Sequence, residues 1–359
     1  MPVAFVMPCF NEAAMVEAAA ASLGFGRTRS PAAPDVYLVL VNNGSTDGTL
    51  DVMQRIASAS RPGSVSIVDE PERGFVPPRR SGALFVSQLA ARVGQPPDRW
   101  LVLQADADTQ YLPGYAQWMQ QFLGSRRGVL LEGAVKRDAT FDAAFPTYRT
   151  LERQVDAVFA VVSVADEEDV VVDDKTCGYV LADYLGWGGH FREFEAGGSE
   201  VYAETTRLLL RVRLAHGVTK MRVNPAQAIP SRRRILEDPA LHFATAGFPR
   251  EAGWLRRWRE RHPKYRTVVE FASDSDDPEV IEACFYRRAH DIALFWLLPW
   301  LVKRAIDGTS FSTPQGHTAE LLSLVPEFGL DELAASPALA IMAVLNAIEG
   351  HPDVFRAAN

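Results

Sequence analysis

The chain has 359 residues, 47% of them hydrophobic and 23% charged, which is enough for two domains or for one large α/β domain with an appendage. Its 37 basic and 45 acidic residues give a net charge of −8, which argues against nucleic acid as a partner because nucleic-acid-binding proteins present a basic face. The cysteines, Cys9, Cys177 and Cys284, are too scattered for a zinc site or a disulfide framework, and they predict a cytoplasmic protein.

The first third of the chain alternates apolar runs with segments of helical composition. The apolar runs predict strands at Val3–Pro8, Val36–Val41, Ser64–Asp69 and Arg99–Gln104. This alternation is typical of βαβ units and predicts a mainly parallel sheet flanked by helices. Ligands of such sheets bind beyond the carboxyl ends of the strands. The polar segments PCFNE, NNGSTDGT and ADAD follow three of these strands, so we expect the functional site at that edge.

The pattern changes after residue 128. Another strand is predicted at Gly128–Arg137, and a helix is predicted from Glu200 to a glycine stop at Gly217. The chain from about Ile235 onward is predicted to be helical. The predicted domains are residues 1–234, with halves at 1–127 and 128–234, and a C-terminal helical region at 235–359.

No membrane-spanning segment is expected from the sequence. Residues 1–12 lack the basic flank and the long apolar run of a signal peptide. The longest apolar run near the C-terminus, Ile292–Val302, is too short to span a bilayer and contains Pro299. We expect a buried helix there, and peripheral contact with a membrane surface is the less favoured alternative.

Two carboxylates, Asp106 and Asp108, follow the fourth predicted strand. Carboxylates this close repel each other unless a cation, hydrogen-bond donors or water compensate. One or two carboxylates, completed by phosphate oxygens and water, suit Mg²⁺ or Mn²⁺. The alternative is a solvated turn in which Asp108 caps the next helix.

The order and spacing of these segments resemble glycosyltransferase family 2, the inverting nucleotide-sugar transferases of GT-A fold. The resemblance covers about residues 2–217. It rests on VMPCFNE, VNNGSTDGT, GFVPPRRSG, QADADTQYLP, GWGGHF and GGSEVYAETTRLLLR. It implies an α/β GT-A fold and a metal-dependent transfer of a hexose from a UDP- or GDP-sugar to a small-molecule, glycan or lipid-linked hydroxyl acceptor, with inversion. It also implies that residues 1–234 form the catalytic domain, with a nucleotide-binding half at 1–127 and an acceptor half at 128–234. The helical region at 235–359 then either closes the acceptor side or forms a homodimer contact.

The resemblance also implies a donor site and a metal site. Asp108 is the implied direct metal ligand, Asp106 faces the ribose or donor sugar and is a second ligand candidate, and His242 is a candidate third ligand. The family usually has Asp where this chain has Asn42 and Asn43, and an amide donates hydrogen bonds as well as accepting them, so the base is not predicted. The implied donor-binding residues are Pro8, Phe10, Glu12, Asn42, Asn43, Arg79, Asp106 and Ala107.

An inverting transfer needs a base that takes the proton of the acceptor hydroxyl. The family has a Glu-Asp motif at the start of a helix, and counting back seven residues from Arg207 places Glu200 on its Glu and Val201 on its Asp. Glu200 is the first candidate and Glu204 the second, because the spacing of four places both on one helix face. Asp173–Asp174 are outside candidates, and the alternative is that these acids only interact with the helix dipole.

The resemblance further implies a substrate-binding loop and a mobile basic segment. Glycines in the loop let the backbone approach a ligand, and its tryptophan can stack on a sugar face. The implied residues are Trp187, Gly188, Gly189 and His190 in the loop, and Arg232 and Arg233 in the basic segment over the diphosphate.

Three alternatives compete with the inverting transferase. A non-catalytic sugar- or nucleotide-binding relative fits the departures at Asn42–Asn43 and Val201, although the intact Asp106 and Asp108 argue against it. A sugar-phosphate nucleotidyltransferase needs a glycine-rich loop with Arg after the first strand, and PCFNEAAM has none. Retention of configuration at the anomeric carbon also stays open.

Overall fold

The computed structural model describes residues 1–159, 169–248, 252–262, 266–312 and 314–357. Within these residues, eight strands form one sheet: β1 (Val3–Cys9), β2 (Val36–Asn42), β3 (Val65–Asp69), β4 (Leu101–Gln104), β5 (Thr109–Tyr111), β6 (Val129–Val135), β7 (Cys177–Val180) and β8 (Thr219–Pro230). Their order across the sheet is β3-β2-β1-β4-β7-β6-β8-β5.

The helices of the described residues lie between the strands and, in the last third of the chain, after β8. They are α1 (Val16–Ser22), α2 (Thr49–Ala59), α3 (Val76–Arg92), α4 (Tyr115–Leu123), α5 (Ala139–Ala144), α6 (Pro146–Phe159), α7 (Leu181–Gly186), α8 (Glu204–His216), α9 (Arg233–Glu237), α10 (Pro239–Ala244), α11 (Ala252–Arg261), α12 (Val268–Ser273), α13 (Pro278–Ile292), α14 (Leu298–Asp307), α15 (His317–Ser323), α16 (Leu330–Ala335), α17 (Ala338–Gly350) and α18 (Pro352–Ala357). Short 3₁₀ turns lie at Pro97–Arg99, Asp174–Thr176 and Gly308–Ser310.

The strands β1 to β4 form the parallel half of the sheet and confirm the strands predicted from the apolar runs. Alternate residues of β1 pack into two different cores, Phe5 with residues of α1 and α2 on one face, and Val6 with residues of α3 and α8 on the other. Both faces of β1 are therefore buried, which explains why its sequence is apolar throughout instead of alternating with polar residues.

Antiparallel pairing begins at β7, so the sheet as a whole is mixed. β7 is antiparallel to β4, with Leu103 opposite Gly178, and it is antiparallel to β6 as well. β8 is parallel to β6, and β5 is antiparallel to β8. Because β7 runs against β4, the start of β7 lies beside the end of β4, at the edge where the polar segments collect.

The chain divides into two compact units. The sheet unit, Met1–Arg137 with Val172–Arg192 and Tyr202–Ser231, contains all the strands named above. The helical unit comprises Asp138–Val171, Glu193–Val201 and Arg232–Asn359. The division into catalytic domain and C-terminal region after residue 234 stays a prediction.

The apolar run at Ile292–Val302 is helical, as expected. It passes from the end of α13 through a π-helical turn, Ala293–Leu297, into α14. Leu297, Leu298 and Leu301 are almost completely buried, which confirms the prediction of a buried helix. In the part of the chain that the structure describes, no helix is both long enough and apolar enough to cross a membrane.

Helix α3 lies close against the parallel half of the sheet at Gly82. A Cβ atom at this position would collide with the side chain of Val6 and press on that of Val41. Only glycine therefore allows this separation between α3 and the strands β1 and β2.

We predict that Gly82→Ala lowers the free energy of unfolding by about 1–3 kcal/mol, because overpacking outweighs the better helix propensity of alanine. Urea denaturation measures the change. The matched control is Gly186→Ala, where an added Cβ meets nothing within 4 Å, and its effect should stay within about 0.5 kcal/mol. Equal stability of the two variants would contradict the close packing of α3.

Candidate active site

The segment after β4 is fixed by hydrogen bonds to the neighbouring elements. The amide of Asp106 donates to the hydroxyl of Tyr111 at 2.9 Å, and that hydroxyl donates to the carbonyl of Lys175 at 2.9 Å. The carbonyl of Asp108 accepts the amide of Ser231 at 3.0 Å, and Ala107 is buried between the two acids. Asp106 and Asp108 themselves are half-buried at the carboxyl edge of the sheet, as predicted.

Arg79, in the first turn of α3, joins three elements of this edge. Its Nε donates to Oε1 of Glu204 at 2.6 Å, its Nη1 to Oε1 of Gln104 at 3.0 Å and its Nη2 to Oδ1 of Asp106 at 3.2 Å. The residue is only 6% exposed. Burial alone would lower the pKa of Arg79, but the carboxylates of Glu204 and Asp106 outweigh burial and raise it well above its ordinary value. The guanidinium is therefore a permanent cation inside a group of acids.

Asp174 is a third acid of this group. It begins the 3₁₀ turn before β7, and its Oδ1 accepts the amide of Thr205 at 3.0 Å in the first turn of α8. Burial, followed by the charge of Glu204, raises the pKa of Asp174 to about 7, although Arg79 opposes the shift. Asp174 thus changes its charge near neutral pH.

A second cation, Lys175, lies next to these acids. Its Nζ is 2.7 Å from Oδ1 of Asp173, whose amide donates to Glu132 at 2.8 Å. Burial lowers the pKa of Lys175, but the charges of Asp173 and Asp106 more than compensate and raise it. Lys175 therefore stays protonated at neutral pH.

The donor set at Asp106 and Asp108 fits a divalent ion that is shared with a diphosphate. Among the residues that the structure describes, no group of three or more His, Cys, Asp or Glu side chains is arranged to hold a metal. Mg²⁺ is commonly bound by one or two carboxylates together with substrate phosphates, which matches two acids at this edge. A metal cage built by the protein alone does not fit the described residues.

His242 lies on α10 in the helical unit. There it lines a cavity of about 350 Å³ with Leu241, Phe248 and Trp254. Arg232 precedes α9, with its guanidinium 5.8 Å from the ring centre of Phe141. The roles implied for His242 as a metal ligand and for Arg232 as a diphosphate ligand stay predictions.

Arg233 begins α9 and belongs to the helical unit. It pairs with Glu237 at 4.0 Å, one helical turn further along α9. This pair is exposed enough that solvent screens it, so it contributes little to stability. The implied contact of Arg233 with a diphosphate also stays a prediction.

The two asparagines after β2 hold neighbouring backbone in place. Nδ2 of Asn42 donates to Asp69 at 2.9 Å, and its Oδ1 accepts the amide of Ser45. Asn43 is 5% exposed, and its Nδ2 donates to the carbonyls of Glu70 at 3.0 Å and Glu72 at 2.7 Å. A carboxylate has no hydrogen to donate to these acceptors, which gives the physical reason for asparagine at both positions.

The residues after β1 border the same region of the sheet edge. Phe10 is 46% exposed, and the guanidinium of Arg73 lies 4.7 Å from its ring centre. Arg73 also donates to the carbonyl of Gly44 at 2.9 Å, which links it to the segment after β2. Pro8 and Glu12 are half-buried on either side of Phe10.

The loop Trp187–His190 packs against α8 and is hydrogen-bonded to it. His190 is fully buried, with Nδ1 2.9 Å from the hydroxyl of Tyr184 and Nε2 3.3 Å from that of Thr205, and burial lowers its pKa. Arg211 donates to the carbonyls of Trp187 and Gly189. This burial does not favour direct contact of Trp187 or His190 with a substrate, and such contact stays a prediction.

Gly188 and Gly189 both have positive φ angles, 79° and 74°. A Cβ atom at Gly189 would press against the ring of Tyr184. These glycines therefore let the loop turn tightly under α8. A closer approach of their backbone to a ligand stays a prediction.

The expectation that Glu200 and Glu204 share one helix face is wrong. Helix α8 begins at Glu204, directly after Ala203, whose φ of 59° is not helical. Glu200 instead forms an isolated bridge with Phe194 in the helical unit. Counting back seven residues from Arg211 instead of Arg207 would have selected Glu204, which is the acid that joins Arg79.

One comparison with protein-family models matches the first part of the chain. Residues 4–154 match the family model described as Glycosyl transferase family 2. A comparison with curated protein sequences found no match.

Three solved structures of low sequence identity are similar to this chain. A mannosyltransferase from Pyrobaculum calidifontis, in complex with GDP-Man and Mn²⁺, is 14% identical, covers 97% of this chain and 86% of its own, and gives a TM-score of 0.47. TarS residues 1–349 from S. aureus is 12% identical, with 98% and 91% covered and a TM-score of 0.44. Glucosyl-3-phosphoglycerate synthase from Mycobacterium tuberculosis is 18% identical, with 64% and 71% covered and a TM-score of 0.36.

We predict that Arg79→Met destabilises the fold by about 3–5 kcal/mol, because it leaves Glu204 and Asp106 without their buried cation. Chemical denaturation at pH 8 measures the change. Arg80→Met is the matched control, since Arg80 is exposed, and its effect should stay within about 0.5 kcal/mol. A loss below 1 kcal/mol for Arg79→Met would show that the acids are compensated in another way.

We predict that Asn43→Asp lowers the free energy of unfolding by about 1–3 kcal/mol, because the carbonyls of Glu70 and Glu72 lose their donor. Differential scanning calorimetry measures the change. Asn224→Asp, at an exposed position of β8, is the control and should leave the melting temperature nearly unchanged. Equal melting temperatures for both variants would mean that Asn43 does not hold the backbone at Glu70 and Glu72.

Proposed function

We propose that this protein transfers a hexose from a UDP- or GDP-sugar to a hydroxyl acceptor, with inversion and with Mn²⁺ or Mg²⁺, since residues 4–154 match the model of Glycosyl transferase family 2. The observation that carries the proposal is the cluster in which Arg79 joins Asp106, Gln104 and Glu204 at the carboxyl edge of the sheet. Open α/β sheets bind their ligands at this edge.

The donor nucleotide is proposed to lie across the ends of β1 and β2. The exposed ring of Phe10 offers a stacking face for a base, and Arg73 already lies against that ring. Asn42 and Asn43 fix the backbone beside it, so they shape the nucleotide pocket through the segments they hold. Pro8 and Glu12 complete this side of the pocket.

Asp108 and Asp106 would hold the metal. Nη2 of Arg79 binds Oδ1 of Asp106, so this carboxylate has a fixed orientation before any ligand arrives. When bound, Mn²⁺ or Mg²⁺ supplies positive charge that stabilises the departing diphosphate. Arg79 is occupied by protein acceptors, which supports a positioning role for it in addition to the diphosphate contact that the family resemblance implies.

The hydroxyl acceptor requires a base within reach of the anomeric carbon. Glu204 is 5% exposed and bound to Arg79 at 2.6 Å, which is a charge-assisted bond. Taking up a proton would forfeit most of that bond. We therefore propose that Glu204 positions Arg79 and that another acid of the cluster receives the proton.

A titration of UDP, GDP and dTDP, each with and without Mn²⁺, tests the function. We expect one nucleotide to raise the melting temperature only with metal, and at about 100 times its Kd the stabilisation should be about 2.7 kcal/mol. Asp108→Ala should abolish this effect because the metal loses its ligand. Asp98→Ala, at an exposed position before β4, is the control and should respond like the wild type.

The proposal fails if no nucleotide binds under any metal condition. If wild type and Asp108→Ala bind a nucleotide equally well without metal, the protein binds nucleotides, but the proposed role of the metal is wrong.

A further inference from the structure

The antiparallel direction of β7 places Asp174 at the carboxyl edge of the sheet. β7 runs antiparallel to β4, with Leu103 opposite Gly178, so the turn that precedes β7 lies beside the segment that follows β4. Asp174 is the first residue of that turn, and it is half-buried rather than enclosed in the core. It therefore shares the edge with Asp106 while keeping some access to solvent.

The carboxylate of Asp174 is held in one orientation. Its Oδ1 accepts the amide of Thr205 at 3.0 Å, next to Glu204 at the start of the 13-residue helix α8. This bond comes from a neutral backbone donor, whereas Glu204 and Asp106 both bind the guanidinium of Arg79. Of these three acids, Asp174 takes up a proton without breaking a bond to that guanidinium.

We propose that Asp174 is the catalytic residue that accepts the proton of the attacking hydroxyl. This inference rests on the proposed function. In the step, the hydroxyl oxygen forms a bond to the anomeric carbon while its proton passes to the carboxylate of Asp174. The bond from the anomeric carbon to the diphosphate oxygen breaks, and its electron pair leaves with the nucleoside diphosphate.

The charges around Asp174 suit this role. Burial raises its pKa first, then the negative charges of Glu204 on α8 and Asp106 after β4, while Arg79 on α3 and the bond from Thr205 oppose the rise, with a result of about 7. A base with a pKa close to the operating pH is the most effective one. Because the pKa of Asp174 is raised to about 7, its side chain becomes protonated as the pH falls below that value, and the active carboxylate is lost.

Hydrolysis of the donor tests the assignment without knowledge of the acceptor, because water then serves as the hydroxyl nucleophile. UDP-glucose and GDP-mannose are incubated with Mn²⁺ from pH 5 to 9, and release of UDP or GDP is measured. For the wild type we expect a rate that rises with pH and levels off above the pKa of Asp174, at or below about pH 7, because Mn²⁺ near Asp106 offsets part of the negative charge that raises this pKa. Asp174→Asn keeps an acceptor for the Thr205 amide, and it should lose about 100-fold in rate at pH 8 together with this pH dependence.

Two controls separate catalysis from folding and binding. Asp98→Asn should reproduce the wild-type rate and pH profile, since Asp98 is exposed at the opposite end of β4. Asp174→Asn should also retain the metal-dependent rise in melting temperature with the nucleotide that stabilises the wild type.

The outcomes that overturn the inference differ from those that overturn the function. Asp174→Asn with more than half of the wild-type rate, or with lost nucleotide binding, removes Asp174 as the proton acceptor. Binding of a nucleotide by the wild type without any hydrolysis counts against the assignment in the same way. Failure of the wild type to bind any nucleotide overturns the proposed function itself.

Discussion

The buried guanidinium of Arg79 determines how the acids of the site are arranged. It binds Glu204, Gln104 and Asp106, and so connects α3, β4 and α8 at one point. Removing charged groups from water costs several kcal/mol for each ion, and a buried pair recovers this only with near-ideal geometry. The apolar cores on both faces of β1 must therefore supply the stability that keeps this charged cluster in place.

The cluster contains more negative than positive charge. Asp106, Asp174 and Glu204 surround one guanidinium, and the raised pKa of Asp174 follows from burial and from this imbalance. Two events relieve the excess: the uptake of a proton by Asp174, and the arrival of a divalent cation near Asp106. The same imbalance therefore favours both a proton acceptor and a metal, which are the two components of the proposed transfer.

The sequence predicts those features of the fold that depend on the order of residues within a short segment. The strands β1 to β4 and the acids after β4 were predictable, because a continuous apolar run followed by polar residues is a property of a short segment. The start of α8 was misplaced because Glu200 and Glu204 both precede a helical pattern. Ala203, whose φ is not helical, separates them, and alanine is not a residue type that predicts such an angle.

Other parts of the site depend on pairings between distant segments. The sequence makes Asp174 only an outside candidate for the base. Asp174 lies near Asp106 because β7 runs antiparallel to β4, whereas the alternation of apolar runs predicts only parallel strands. Asn43 illustrates the same limit. Its role is fixed by the carbonyls of Glu70 and Glu72, which no local pattern around residue 43 reveals.

The position of Arg79 depends in turn on a residue with no side chain. Gly82 lies three residues later, on the same side of α3, since positions three apart in a helix are neighbours. Its missing Cβ lets α3 approach Val6 and Val41 more closely than an alanine would allow. A larger residue at position 82 would lift α3 from the sheet and withdraw Arg79 from Gln104 and Asp106. The geometry of the charged cluster is therefore set by apolar packing one helical turn away.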